Sequence, residues 1–152
     1  MGSGKSDLQK FQEVGVLCPV FNIRAAARII TQLFDDELKP SGLQVTQFAV
    51  LVGIASMESP TMNQLAQGMI MDRTTLSRNL KPIESQGLIR IKKGIDKRTS
   101  NIELTAKGKT ALHKTLPFWE KARAKVSDEL GAKFVQGLLK DLSFVRTIKV
   151  KE

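Results

Sequence analysis

Along this chain the apolar positions change period several times, and each change marks an element. Phe21, Ile23, Ala27, Ile30, Phe34 and Leu38 recur at spacings near three and four, the pattern of a helix with one buried stripe. A helix is therefore predicted from Val20 to Lys39, ended by KPSG at 39–42. The segment VTQFAVLVGIASM at 45–57 is apolar on nearly every side. It predicts a central helix to Met57 with Thr46 as N-cap and Phe48, Leu51, Val52 and Ala55 facing inward. Ser59 and Pro60 break that pattern. Thr61, with Gln64 three residues on, has capping-box spacing and opens a short helix over 62–69.

Asp72 suits the N-cap of a fourth helix running to about Gln86, with Gly87 able to adopt the left-handed stop. From Leu88 the period falls to two: Leu88 or Ile89 and Ile91 alternate with Arg90 and Lys92, the chain turns through KGIDK, and Ile102 and Leu104 return. This is the pattern of an antiparallel hairpin. A long helical segment follows from Thr105, with an interruption expected at Pro117 and an end at Gly131. A last helix carries Phe134, Leu138 and Leu142 on one face. The expected fold is mainly α with a small β-hairpin.

The fourth helix has two unlike sides. At about 100° per residue, Leu76, Leu80 and Ile83 share one side, and Thr74, Arg78, Lys81 and Ser85 the other. A short capped helix, a brief turn, and a helix with an apolar inner face and a Thr/Ser/Arg outer face form the helix-turn-helix pattern, whose second helix enters the major groove. An arginine there can offer two donors to guanine O6 and N7, and hydroxyls reach base edges or phosphates. An ordinary amphipathic surface helix has the same periodicity, so the helix alone does not decide. The hairpin just after it, with cations crowded at its tip, stands where a wing would lie along DNA.

Charge supports this. The chain has 152 residues, about one domain's worth, with 24 Lys and Arg against 15 Asp and Glu, a net charge of +9. Between residues 73 and 98 eight basic residues stand against Glu84 and Asp96, so this window holds a net +6 of that charge. Such a patch favours a polyanionic partner such as nucleic acid; ribosome-associated and membrane-surface proteins are basic too, and it is the helix pair and hairpin that point to double-stranded DNA. Other chemistry is sparse. Cys18 is the sole cysteine, which excludes an intrachain disulfide and points to a cytoplasmic protein. His113 is the sole histidine, too few for the usual zinc ligand sets. No activating motif surrounds either residue, so an enzyme, a cofactor and a metal are not expected. No run approaches the roughly 18 apolar residues of a membrane span, no signal core is seen, and residues 2–6 read as a tail left out of the fold.

DRTTLSRNLKPIESQGLIRIKKGIDKRTSNIELTAKGK, residues 72–109, resembles the DNA-binding core of the MarR family of bacterial transcription regulators. The matching features are the D-R-[ST]-T-L-[ST]-R helix start, the D-x-R of Asp96 and Arg98, and the L-T-x-x-G of Leu104 to Gly108. The resemblance implies a single winged helix-turn-helix domain over 1–152. Its DNA-binding lobe would span about 45–104, and dimerisation helices would span about 10–40 and 105–148. It implies a ligand-responsive homodimer, usually a repressor, binding a pseudo-palindromic operator. DNA contacts are expected from Arg73, Thr74, Thr75, Ser77, Arg78, Lys81, Lys92, Lys93, Lys97 and Arg98, with Asp96 orienting the wing arginine. A pocket for a small aromatic or phenolic effector is also implied, for which Phe21, Arg24, Arg28, Met57 and His113 are the candidates. Phe21, Ile30, Phe134, Leu138 and Leu142 are more apolar surface than a lone small lobe would bury, which also favours a dimer.

Three features depart from the pattern. Ile70 holds a turn position where the family often has glycine, the wing is about one residue short, and Pro82 lies inside the recognition helix, where a bend is expected. Cys18 is placed like the sensing cysteine of hydroperoxide-responsive members. The chain has no tyrosine to support a reactive thiol, so a structural, partly buried cysteine acting as a small hydrophobe is the favoured reading and a redox-sensing regulator the alternative. A sequence-indifferent architectural DNA binder is the other alternative.

Overall fold

In the computed structural model, which describes residues 6–93 and 100–148, the chain separates into two units, Met1–Leu33 and Phe34–Glu152. The first unit opens with a helix that periodicity did not predict, α1 (Asp7–Leu17). Ser6 caps it: its hydroxyl accepts from the Gln9 N–H at 3.3 Å, and the Gln9 side chain accepts from the Ser6 N–H at 3.0 Å. Cys18 breaks the helix with extended backbone, and Pro19 starts α2 (Pro19–Leu38), where its missing N–H costs nothing. The Asn22 amide fastens the break by donating to the carbonyls of Val16 and Cys18. No residue of α1 is buried.

In the second unit the end of α2 passes through a 3-10 turn at Lys39–Ser41 to Gly42, whose φ of 81° is the expected glycine stop. Next comes α3 (Val45–Ser56), and here the sequence reading needs two corrections. The N-cap is Gln44, not Thr46. The Val45 N–H is taken by the Asp35 carboxylate at 2.6 Å, and the Gln47 side chain accepts from the Gln44 N–H at 3.1 Å. A partner ten residues upstream satisfies the helix start, which local spacing cannot reveal. The inner face also differs: Phe48, Val50, Leu51 and Ile54 are buried, while Val52 and Ala55 are exposed. A segment apolar on all sides does not fix its own rotation; the packing against its neighbours does.

The short α4 (Met62–Gly68) carries the expected Thr61–Gln64 capping box, and α5 (Arg73–Ser85) follows. The hairpin pairs β1 (Ile89–Lys93) with β2 (Ser100–Leu104), in antiparallel register Ile89 to Leu104 and Ile91 to Ile102. Its inner strand is tied to the turn before α4, with the Ile102 N–H donating to the Pro60 carbonyl and Thr61 bridging Asn101. Ile102 is fully buried, whereas its partner Ile91 is more exposed than the alternation predicts. Leu43, Val50, Leu51, Ile54, Leu65, Leu76, Leu80, Ile83, Leu88, Ile89 and Ile102 form one core. Each such side chain removed from water contributes about 1.5–3 kcal/mol.

From Thr105, whose hydroxyl caps it, α6 (Ala106–Leu130) runs unbroken through Pro117, against the expected interruption. Thr115, Ala122 and Val126 are buried along it on and beyond that turn, and their packing outweighs one lost backbone hydrogen bond. Glu37 anchors the end of α2 to α6 through Lys121 at 2.9 Å and Lys125 at 3.2 Å. Gly131 (φ 84°) ends α6, and α7 (Ala132–Val145) closes the fold with Phe134, Leu138 and Leu142 left exposed. Among the described residues no single helix is long and apolar enough to cross a membrane.

Candidate nucleic-acid interface

The site is built on the turn between α4 and α5. Ile70 takes φ 54° there, so the chain makes the glycine-like turn with a β-branched residue. Left-handed backbone costs a non-glycine residue about 1–2 kcal/mol, while glycine costs more backbone entropy on folding. Since Ile70 is exposed, it recovers little by packing. Ile70→Gly is therefore expected to stabilise the protein by up to about 1 kcal/mol, seen as a rise of a few degrees in a thermal melt. An unchanged or lower midpoint would show that the turn carries no such strain.

Asp72 starts the helix. Its carboxylate accepts from the Thr75 N–H at 2.8 Å and from the Thr75 hydroxyl at 2.6 Å. The Thr75 hydroxyl, then its backbone N–H, hold the carboxyl below the usual aspartate range. Because the folded pKa is depressed, the cap contributes fully above the unfolded value of about 3.9 and is lost as pH falls through the folded pKa. Asp72→Asn should melt below the wild type at neutral pH and approach it in acid; a constant gap across that range would mean the charge is not what matters.

The exposed face of α5 is the one expected: Arg73, Thr74, Thr75, Ser77, Arg78 and Lys81 are all exposed, and Leu76, Leu80 and Ile83 buried. The Thr75 proton is committed to Asp72, which leaves Thr74 and Ser77 as the better hydroxyl donors. The helix continues through Pro82 to Ser85, beyond these residues. Sequence reasoning did not assign Gln44, Thr46 and Gln47 to the site, yet they line a small depression of about 90 Å³ together with Arg78, Asn79 and Pro82. The start of α3 thus lies beside the arginine of α5.

On the hairpin, Arg90 and Lys92 stand on one side of β1 and share Glu103 of β2, at 3.1 and 2.9 Å. Lys92, then Arg90, hold the Glu103 carboxyl below its ordinary value. The cross-strand position of Glu103 was legible only once the register was known. Lys93, one residue on, is exposed. Asp96, Lys97 and Arg98 lie outside the described residues.

The other candidates are distributed between the units. In the first, Phe21, Arg24 and Arg28 are exposed on α2 and Cys18 is partly buried at the α1–α2 break. In the second, Met57 ends α3 beside Gly68, and His113 is exposed on α6. Among the described residues no group of three His, Cys, Asp or Glu side chains could hold a metal ion.

A helix-turn-helix whose second helix exposes hydroxyls and arginine, followed by a basic two-stranded wing, defines the winged helix-turn-helix class of DNA-binding proteins. The transcriptional regulator MosR of M. tuberculosis, solved in complex with DNA, is 39% identical to this chain, over 86% of this chain and 96% of MosR, with a TM-score of 0.75. The chain belongs to the MarR family of winged helix-turn-helix transcription regulators, DNA-binding proteins rather than enzymes. No family model matches it. The uncharacterized regulator YwoH of Bacillus subtilis is 26% identical over 114 residues, 72% of this chain and 83% of YwoH. Further curated helix-turn-helix regulators match over 50% to 62% of their own length. The organohalide-sensing regulator RdhR-CbdbA1625, in its 2,4-dichlorophenol-bound form, shares the fold with a TM-score of 0.79 at 21% identity, over 97% of this chain and 87% of that one.

Proposed function

We propose that this regulator is a homodimeric, ligand-responsive repressor that reads a pseudo-palindromic operator with the outer face of α5, its wing lying along the flanking backbone. The observation that carries the reading is the clean division of α5, with Leu76, Leu80 and Ile83 buried and the Thr/Ser/Arg side exposed. Arg78 is the base reader, Thr74 and Ser77 touch base edges or phosphates, and Arg73, Lys81, Lys92 and Lys93 supply phosphate contacts. Lys97, Arg98 and Asp96 keep the wing roles that the sequence motif assigns them. In this reading the residues at about 10–40 and 105–148 form the dimerisation region, and the protein acts on the chromosome in the cytoplasm.

Dimerisation is supported by the apolar side chains exposed in the single chain: Leu8, Phe11, Phe21 and Ile29 in the first unit, Phe134, Leu139 and Phe144 in the second. A single chain that leaves this much apolar surface in water would associate. Sedimentation at micromolar concentration should give a dimer; a monomer would remove the basis for palindromic recognition. The effector is a small aromatic or phenolic molecule, a reading supported by the chlorophenol bound to the relative of the same fold. Footprinting on DNA selected by the protein tests the function: protection of a short inverted repeat is expected, and protection without sequence preference would instead make the protein an architectural binder.

A further inference from the structure

The L-T-x-x-G segment, Leu104 to Gly108, is built against the end of α5. Three consecutive carbonyls there each receive a donor from it. The Lys107 ammonium donates to the Gln86 carbonyl at 2.7 Å. The Thr105 hydroxyl donates to the Gly87 carbonyl at 2.7 Å and lies 3.2 Å from that of Leu88. The Thr105 N–H donates to the Leu88 carbonyl at 3.0 Å. The same hydroxyl accepts from the Gly108 N–H at 3.0 Å, capping α6. Gly108 is buried flat against Leu88, and a Cβ at that position would run into the Leu88 backbone.

The end of α5 needs such support. The carbonyls of Pro82, Ile83 and Glu84 are taken by the N–H groups of Gln86, Leu88 and Gly87. Those of Gln86, Gly87 and Leu88, just past the helix, therefore need partners from outside it, and Pro82, in the final turn, removes one backbone donor. Lys107 also brings a positive charge to the end of the helix where the dipole is negative. A hydroxyl that accepts from one helix start while donating to another helix end joins the two elements through a single atom.

We infer that Thr105, Lys107 and Gly108 are positioning residues for DNA reading: they clamp the C-terminal end of α5 to the N-terminal end of α6, set the angle at which α5 presents Arg78, and make the two helices move as one body. The inference rests on the reading of α5 as the recognition helix and adds the device that aims it.

Capping and clamping can be separated at Thr105. Aspartate is a good N-cap and still accepts from Gly108, but it has no proton to give the Gly87 carbonyl. Serine keeps both functions. The readout is the ratio of affinities for a duplex selected from a random pool by the wild-type protein and for a scrambled duplex of equal composition, measured at one salt concentration. The added charge of Thr105→Asp acts on both duplexes and cancels in the ratio. The clamp predicts that folded Thr105→Asp lowers the ratio at least tenfold while Thr105→Ser stays within about twofold of wild type. A folded Thr105→Asp with a wild-type ratio would overturn it. Should Thr105→Asp not fold, Lys107→Met at an exposed position carries the test: a ratio reduced threefold or more supports the clamp, and an unchanged ratio overturns it. Arg78→Ala, measured alongside, separates the two failures. If it lowers the ratio while the clamp variants do not, only the clamp is lost; if it too leaves the ratio unchanged, the reading of α5 falls with it.

Discussion

Arg78→Ala is expected to weaken binding to a selected operator by about 1–3 kcal/mol per half-site, and so by a factor of roughly 30 to 30,000 in a symmetric dimer where both half-sites lose the contact. Binding to random DNA should fall far less, because there the arginine contributes only its charge. Lys93→Ala should behave in the opposite way. Lys93 lies on the hairpin strand, exposed, and a lysine facing phosphates carries no sequence information. Its loss should weaken all DNA similarly and flatten the salt dependence by about one counterion per subunit. Comparison of operator and random duplexes across a salt series separates the two residues. Equal loss on both duplexes for Arg78→Ala would deny it a role in base reading.

Leu76→Ala, two residues away on the same helix, is expected to fail by another route. Leu76 is fully buried in the cluster that joins α3, α4, α5 and the hairpin, and leucine-to-alanine changes at such sites cost about 2–5 kcal/mol. Against a total stability of about 5–15 kcal/mol for a protein of this kind, that is a large share. The melting temperature should drop steeply, and affinity for operator and random DNA should fall together in proportion to the unfolded fraction. A folded Leu76→Ala protein with wild-type stability would mean the inner face of α5 is not the core contact its burial indicates.

The sequence was most legible where local chemistry decides the backbone. Asp72, Thr61, Thr105, Gly42, Gly87 and Gly131 each end or start an element where the residue type says they should, because caps and left-handed stops are local. The two faces of α5 were legible because its polar and apolar residues are sharply divided. Reading was weaker wherever a distant partner intervenes. The start of α3 is satisfied by Asp35, and its rotation is set by packing because its own sides are nearly alike. Pro117 was expected to interrupt α6, and burial on and beyond that turn carries the helix through it. Periodicity missed the first helix, which only the family resemblance covered from about residue 10, for a simpler reason: no stripe is buried along it, and its capping residue, Ser6, lay in the segment set aside as a tail. In the wing, the pairing of Glu103 with Arg90 and Lys92 depends on strand register, which alternation alone does not fix.

The central claim is that Arg78 reads a guanine from the major groove, where O6 and N7 are the acceptors. Methylation at N7 fills that acceptor and leaves the backbone untouched. On the selected operator, wild-type protein should be blocked by methylation of one guanine in each half-site, the two about one DNA turn apart, whereas Arg78→Ala, already lacking the contact, should bind methylated and unmethylated DNA alike at those guanines. If no guanine distinguishes the two proteins in this way, Arg78 does not read the groove and the account of α5 as the recognition helix is contradicted.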